Sequence, residues 1–274
     1  LPLSIFVFFK NYLNKKYAII LFISFVFIPI FENMGFGYFN YIWQIARNHA
    51  ETLSITLIIL SLCVLVNIDK KTNNENLLVF FTGLGLAIAA ISRPNFFPTT
   101  LILSLYTLIF YLNEKNYFKI LLYLLGFSFV SFCFIHNIYF GNNYNFFTSA
   151  EAHFQLNFSN YINAIINIAT LNLENENTKF LLSQFNLWNP LYNVHRLLIL
   201  AIIFYFILLH KQSLFTYTIF ACALSQHAVL FLTHPSSRYA YLAWLLTFIL
   251  FTKVEFDNKI FKTLYISLKK KLIK

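Results

Sequence analysis

Charge is what this sequence has least of. Aspartate, glutamate, lysine and arginine make up 11% of its 274 residues, against about 25% in a soluble domain. With 59% hydrophobic residues and a mean hydropathy of +0.65, the soluble class is excluded, and a domain count from length does not apply. Cysteine is also scarce. Cys63, Cys133 and Cys222 all fall inside apolar runs, and none has CxxC spacing. Neither a disulfide framework nor a zinc site is therefore expected, and the three read as small buried apolar residues. There is no GxSxG, no HExxH, no Gly-rich phosphate loop, no internal repeat and no recognisable signal peptide.

What is present is a series of apolar runs: Leu1–Phe9, Tyr17–Phe31, Thr52–Ile68, Leu77–Ser92, Asn95–Leu112, Phe118–Phe140, Leu197–Leu209, Leu214–Thr233 and Tyr239–Thr252. These predict an all-α, polytopic transmembrane bundle of eight full spans and one truncated span. Residues 1–252 form the membrane domain. Residues 253–274 form a basic amphipathic tail, with Phe256, Ile260, Leu264, Ile266 and Leu268 among lysines, suited to anionic lipid headgroups. Because the first residue already lies in an apolar run, the sequence is expected to be the C-terminal portion of a longer protein.

The run Leu77–Leu112 is the most informative. At 36 residues it is too long for one span and suits two, turning at Arg93-Pro94-Asn95. Pro94 lacks an amide proton and pushes the preceding residues out of helical geometry. Arg93 is the only charge in the stretch.

The net charge of +10 divides by residue type rather than forming a nucleic-acid patch. Alternating the spans puts 15 lysines on one side, including Lys10, Lys70, Lys115, Lys119, Lys211 and Lys253, with only Lys179 opposite. By the positive-inside rule that side, and the C-terminus, is cytoplasmic. Arg47, Arg93, Arg196 and Arg238 all fall outside, each near a span end. Two readings fit them: interfacial snorkelling, or use of the planar guanidinium fork on phosphate or carboxylate oxygens.

The outer loops are aromatic. Glu32–Asn48 has Phe39, Ile42, Trp43 and Ala46 at helical spacing. In the long loop 141–195, Phe158, Ile162, Ile165, Ala169 and Leu173 mark one helical face, with Asn160, Asn163 and Asn167 opposite. Both stretches read as interfacial helices. Glu51 opens a span just after Arg47 and His49. It is either a helix-start carboxylate favoured by the dipole or a ligand for a substrate hydroxyl, a cation or a divalent metal. Glu151 and His153 form a weaker pair in a loop, and His136 ends a span. His234 and Tyr239 flank Arg238 in the tightest outer turn, and Gln226-His227 is a polar pair inside a span.

The stretches ARNHAETLSITLIILSLCVLV, FTGLGLAIAAISRPNFFPTTLIL, HNIYFGNNYNFFT and HPSSRYAYLAW, in that order, resemble the later part of bacterial GT-C glycosyltransferases. That superfamily includes relatives of protein O-mannosyltransferases and of the aminoarabinose transferases of lipid A. The match lies in an acid opening a span, an Arg-Pro hairpin, and an Arg-Tyr pair opening a late span. The prolines that often follow the Arg-Tyr pair are replaced here by Ala240-Tyr241-Leu242-Ala243.

The resemblance implies a bacterial inner-membrane enzyme that takes a sugar from a polyprenyl-phosphate donor on the extracytoplasmic side. It places the principal catalytic acid in an earlier outer loop. This chain would then hold donor-phosphate and cavity residues, with Glu51 as the catalytic candidate and Arg93, Arg238, Arg47, Arg196, His234 and Tyr239 binding substrate. Membrane lipids are the other expected partner, and no metal-ligand set is identified. A surface-polysaccharide polymerase or ligase shares many spans and an arginine-bearing outer loop. A lipid or solute transporter would show broken midplane helices or repeated halves, neither of which is clear here.

The lysine partition sets a first test. In a background with the three native cysteines replaced by alanine, Lys70→Cys, Lys115→Cys and Lys211→Cys are expected to resist an impermeant thiol reagent in intact cells. Glu151→Cys and Trp188→Cys should label. Labelling at position 115 from outside would invert the topology.

Overall fold

The computed structural model describes residues 1–13, 15, 17–19, 22–23, 50–68, 74–142, 158–188, 194–232 and 237–258. The side chains at 158, 161, 183–188, 194–199, 206, 230–232, 237–240 and 255–258 are excepted. Among these residues the fold is all-helical, with no strand: α1 (Pro2–Tyr12), α2 (Glu51–Leu65), α3 (Glu75–Ser92), α4 (Phe97–Asn113), α5 (Tyr117–Phe127), α6 (Ser131–Gly141), α7 (Phe158–Ala169), α8 (Glu176–Trp188), α9 (Val194–Leu209), α10 (Leu214–Leu232) and α11 (Ser237–Asn258).

Three segments are long and apolar enough to cross a membrane: Glu75–Ser92, Pro94–Asn113 and Tyr117–Gly141. Glu51–Leu65, Leu200–Leu209, Leu214–Val229 and Tyr241–Val254 are apolar but shorter. Fifteen residues of helix rise about 22 Å, short of a hydrocarbon core of ~30 Å. The described helices alone therefore do not reach eight full spans. Most of the run Tyr17–Phe31, the loop Glu32–Asn48 and the tail beyond Asn258 lie outside the described residues. The helix that precedes the tail, α11, runs on past position 252.

The expected hairpin is present. Ser92 ends α3 and Arg93 is extended (φ −150°, ψ 103°). A single 3₁₀ turn, Pro94–Phe96, then leads into α4. Pro98 sits in the first turn of α4, where its missing N–H leaves no bond unmade. At the other end Asn116 caps α5, its side chain accepting from the Lys119 amide at 3.2 Å.

Two glycines decide how α5 meets α3. A methyl group on Gly83 would fall on the Tyr123 carbonyl oxygen and 3.0 Å from the Phe127 amide nitrogen. One on Gly126 would fall on the Phe80 carbonyl oxygen and 2.9 Å from the Leu84 amide nitrogen. The helices thus touch backbone to backbone. This is the usual substitute for a hydrophobic driving force where the surroundings are as apolar as the side chains. A buried Tyr123 hydroxyl donating to Ser104 Oγ at 2.6 Å ties α5 to α4 as well. Beyond this seam α5 and α6 are largely uncovered, and only 11% of their most apolar window is buried.

Contacts involving Lys119 and Lys253 define one end of the bundle. Tyr12 meets Thr216 at 2.9 Å and stacks edge-on against Phe215, and the Lys253 ammonium lies 5.2 Å from the Tyr12 ring. Lys119 pairs with Glu75 and lies 5.4 Å from the Tyr111 ring. The start of α3, the ends of α1, α4 and α11 and the starts of α5 and α10 therefore share one end of the bundle. Arg93 and Glu51 occupy the other. This relative arrangement is the one the lysine partition predicts.

In α7 the expected apolar face is only partly right. Ile162, Ile165 and Ile166 are exposed while Ala164 is buried, and the helix stops at Ala169 because Leu171 turns left-handed (φ 59°). Leu173 lies beyond it.

The glycine seam predicts that Gly83→Ala and Gly126→Ala each destabilise the fold by about 1–3 kcal/mol, since backbone rather than a side-chain tip must give way. Gly85→Ala, whose methyl would meet Ser61 Oγ at 3.6 Å and Leu57 Cδ2 at 3.8 Å, should melt like the wild type in the same detergent. Equal melting of all three variants would remove the seam's special role.

Candidate functional site

The site is built where α2 begins and the α3–α4 hairpin turns. Glu51 is the first residue of α2, and its carboxylate sits where the helix dipole favours negative charge. Its exposure is 0%. Arg93 reaches it from the extended residue between α3 and the 3₁₀ turn. Nη2 lies 3.0 Å from Oε1 and donates to Oε2 at 3.1 Å. Pro94 accounts for that reach, because an arginine still inside α3 would lie on the helix surface and not at its tip.

The two members are unequally covered. The Arg93 side chain keeps 29% of its surface, whereas that of Glu51 keeps 1%. A single guanidinium nitrogen lies against both carboxylate oxygens but hydrogen-bonds only Oε2. Among the described residues Arg93 Nε and Glu51 Oε1 are buried and have no hydrogen-bond partner. The pair is thus a one-nitrogen contact rather than the parallel fork–fork arrangement, and hydrogen-bonding capacity remains on both sides.

α10 fixes the hairpin from behind. Buried Gln226 donates from Nε2 to the Asn95 carbonyl at 3.1 Å. Ser225 and Thr99 hydroxyls lie 3.4 Å apart, and Cys222 Sγ approaches the Thr99 carbonyl at 3.9 Å. The turn that carries Arg93 therefore has its carbonyls occupied. His227 faces the other way: Nε2 is 3.0 Å from Thr247 Oγ1, and its ring meets Trp244 edge-on at 4.9 Å. The Gln226-His227 pair divides between two helices and does not form one polar cluster at the midplane.

Of the residues singled out from the sequence, the structure brings Glu51 and Arg93 together. Arg196 falls in the first turns of α9, and Arg238 and Tyr239 open α11, their side chains lying outside the described ones. Arg47, His234, Glu151 and His153 also lie outside the described residues. Among the described residues no group of three or more His, Cys, Asp or Glu side chains could hold a metal ion. The cysteines are free, with Cys222 buried and Cys63 and Cys133 half-buried.

Sequence reasoning named Glu51 and Arg93 but gave them separate roles, and it missed that each is the other's partner. The signal was available. Each is the charge of its own apolar run and lies at a span end on the same side, and charges at such positions pair. Gln226 as a clamp on the hairpin had no comparable signal.

Compared with known proteins, the chain matches no family model, no curated protein and no solved structure.

The unequal burial predicts unequal losses. Arg93→Ala strands a carboxylate with no exposed surface and should cost about 3–5 kcal/mol, the usual penalty for an uncompensated buried charge. Glu51→Gln leaves a guanidinium that reaches solvent and should cost about 1–2 kcal/mol, discounted for screening. The double variant should then be more stable than Arg93→Ala alone. Thermal melts of the three variants check this, and additive losses would contradict it.

Proposed function

We propose that this chain is the C-terminal part of a multi-pass bacterial inner-membrane glycosyltransferase, with its C-terminus cytoplasmic and its completed bundle holding eight full spans. It moves a sugar from a polyprenyl-phosphate donor to an acceptor on the extracytoplasmic side. The observation that carries this reading is Arg93: a cation at a hairpin tip, at the arginine-bearing end, held to Glu51 through one nitrogen while its side chain keeps 29% of its surface exposed.

The chemistry asks for little else at this end. The leaving group is a phosphate and departs without protonation. The reaction then needs a base on the acceptor, supplied by a segment outside this chain, and cations on the phosphate. Arg93 takes that second role, together with Arg238 in the first turn of α11. Arg47, Arg196, His234 and Tyr239 complete the donor pocket. Glu51 acts chiefly by positioning. It neutralises Arg93 on one edge and aims the other, and Oε1 is available to a sugar hydroxyl or a divalent cation once the acceptor side is assembled. The membrane-edge location suits a substrate whose chain stays in lipid while its phosphate reaches the surface.

In transfer assays on the full-length protein with a short-chain polyprenyl-phosphate sugar in detergent, Arg238→Ala and Arg93→Ala should each lower turnover per folded molecule by ~30- to 1,000-fold. Arg93→Lys keeps a cation opposite Glu51 but loses the planar fork, so it should fall between wild type and Arg93→Ala. Glu51→Gln should be at least about tenfold slower, because an unanchored guanidinium no longer holds one orientation. If both arginine-to-alanine variants turn over like wild type, the arginines are interfacial anchors and the reading fails.

A further inference from the structure

From the middle of α2 and α3 toward the lysine-bearing end, two cavities share part of their lining. The first, ≈ 470 Å³, is a groove between α2 and α3. It extends from Leu57 and Ile88 to Cys63, Val64 and Leu78. The second, ≈ 290 Å³, shares those last three residues and continues beneath α1 and α4 to Asn11, Asn67, Glu75 and Tyr111. Together they make one trough, apolar along most of its length and polar at one end. From Leu78 to Ile88 it follows α3 for about 15 Å. Leu60 and Phe81, on its rim, are 47% and 52% exposed, so it opens sideways to whatever surrounds the helices.

The polar end is lined by Glu75, and its ion-pair partner Lys119 stands beside it. Glu75, in the first turn of α3, accepts from Lys119, whose ammonium also lies over the Tyr111 ring. Neither group is saturated. A carboxylate has about four acceptor sites and an ammonium three donors, and this contact uses one of each. The two side chains keep 22% and 15% of their surface. A trough of this shape fits an amphiphile, and the charges select its headgroup. A purely anionic head would be drawn to Lys119 and repelled by Glu75. A zwitterion with a phosphate and an ammonium satisfies both.

We propose that the trough binds one phospholipid with an ammonium-bearing headgroup, drawn from the leaflet on the lysine side. One acyl chain lies between α2 and α3, the ammonium sits on Glu75, and the phosphate sits on Lys119. Its headgroup end is opposite Arg93, and the site does not depend on the glycosyl-transfer reading.

The test is native mass spectrometry of the whole chain in detergent, titrated with dioleoyl phosphatidylethanolamine or dioleoyl phosphatidylglycerol. Wild type is expected to take up one phosphatidylethanolamine at a concentration about tenfold below that for phosphatidylglycerol, the worth of a charge-assisted hydrogen bond. Glu75→Gln should erase or invert that preference, because it removes the ammonium's partner and frees Lys119. Leu60→Trp, at an exposed position on the rim, should fill the groove and weaken uptake of both lipids. Equal binding of the two lipids by wild type would overturn the proposal. So would a preference that survives Glu75→Gln, or uptake that Leu60→Trp leaves unchanged. Should Glu75→Gln not fold, the wild-type preference and the Leu60→Trp variant decide.

Discussion

A carboxylate with no exposed surface cannot stay charged in an apolar bundle without a counter-charge, and in this protein the counter-charge is Arg93. Much of the arginine-bearing end follows from that requirement. The hairpin must turn where it does so that the guanidinium leaves the helix surface and reaches the start of α2. Pro94 sets that turn, and Gln226 and the Thr99–Ser225 contact hold it against α10. The ion pair is thus joined to two helices, α4 and α10, besides its own. A change in either of them alters the environment of both charges.

The remaining helices are held by different means at different depths. Near the lysine end, aromatic stacking and a second ion pair organise α1, α3, α5 and α11. Tyr12 serves as a platform for Phe8, Phe215 and Lys253. In the middle, α3 and α5 have neither charges nor a water-driven reason to associate, and they rely on the close approach that Gly83 and Gly126 allow. α11 is enclosed along its middle, with Tyr241 to Leu246 all buried.

The sequence made some of this legible and hid the rest, for physical reasons. The hairpin at Arg93 could be read because proline acts locally, on its own residue and the one before it. The shared end of the lysines could be read because alternation of apolar runs is a one-dimensional rule. The pairing of Glu51 with Arg93 spans two segments 42 positions apart and depends on which helices are neighbours, which no local pattern encodes. The same holds for Gln226, whose amide looks like an isolated polar residue until α10 is set against the hairpin. Run length was also a poor guide to helix length. The apolar run Thr52–Ile68 becomes a helix that ends at Leu65, because composition specifies burial in lipid more firmly than it specifies where hydrogen bonding stops.

The glycine seam has a consequence for how the protein is made. α3, α4 and α5 are consecutive in the chain, and every contact that joins them is local compared with those that bring in α1 or α11. Loop closure between them is cheap, so this trio can assemble once its three segments have entered the bilayer, before the later helices are synthesised. Arg93 is then carried to its final depth by a preformed unit, and the helices that follow dock against a template that is already set.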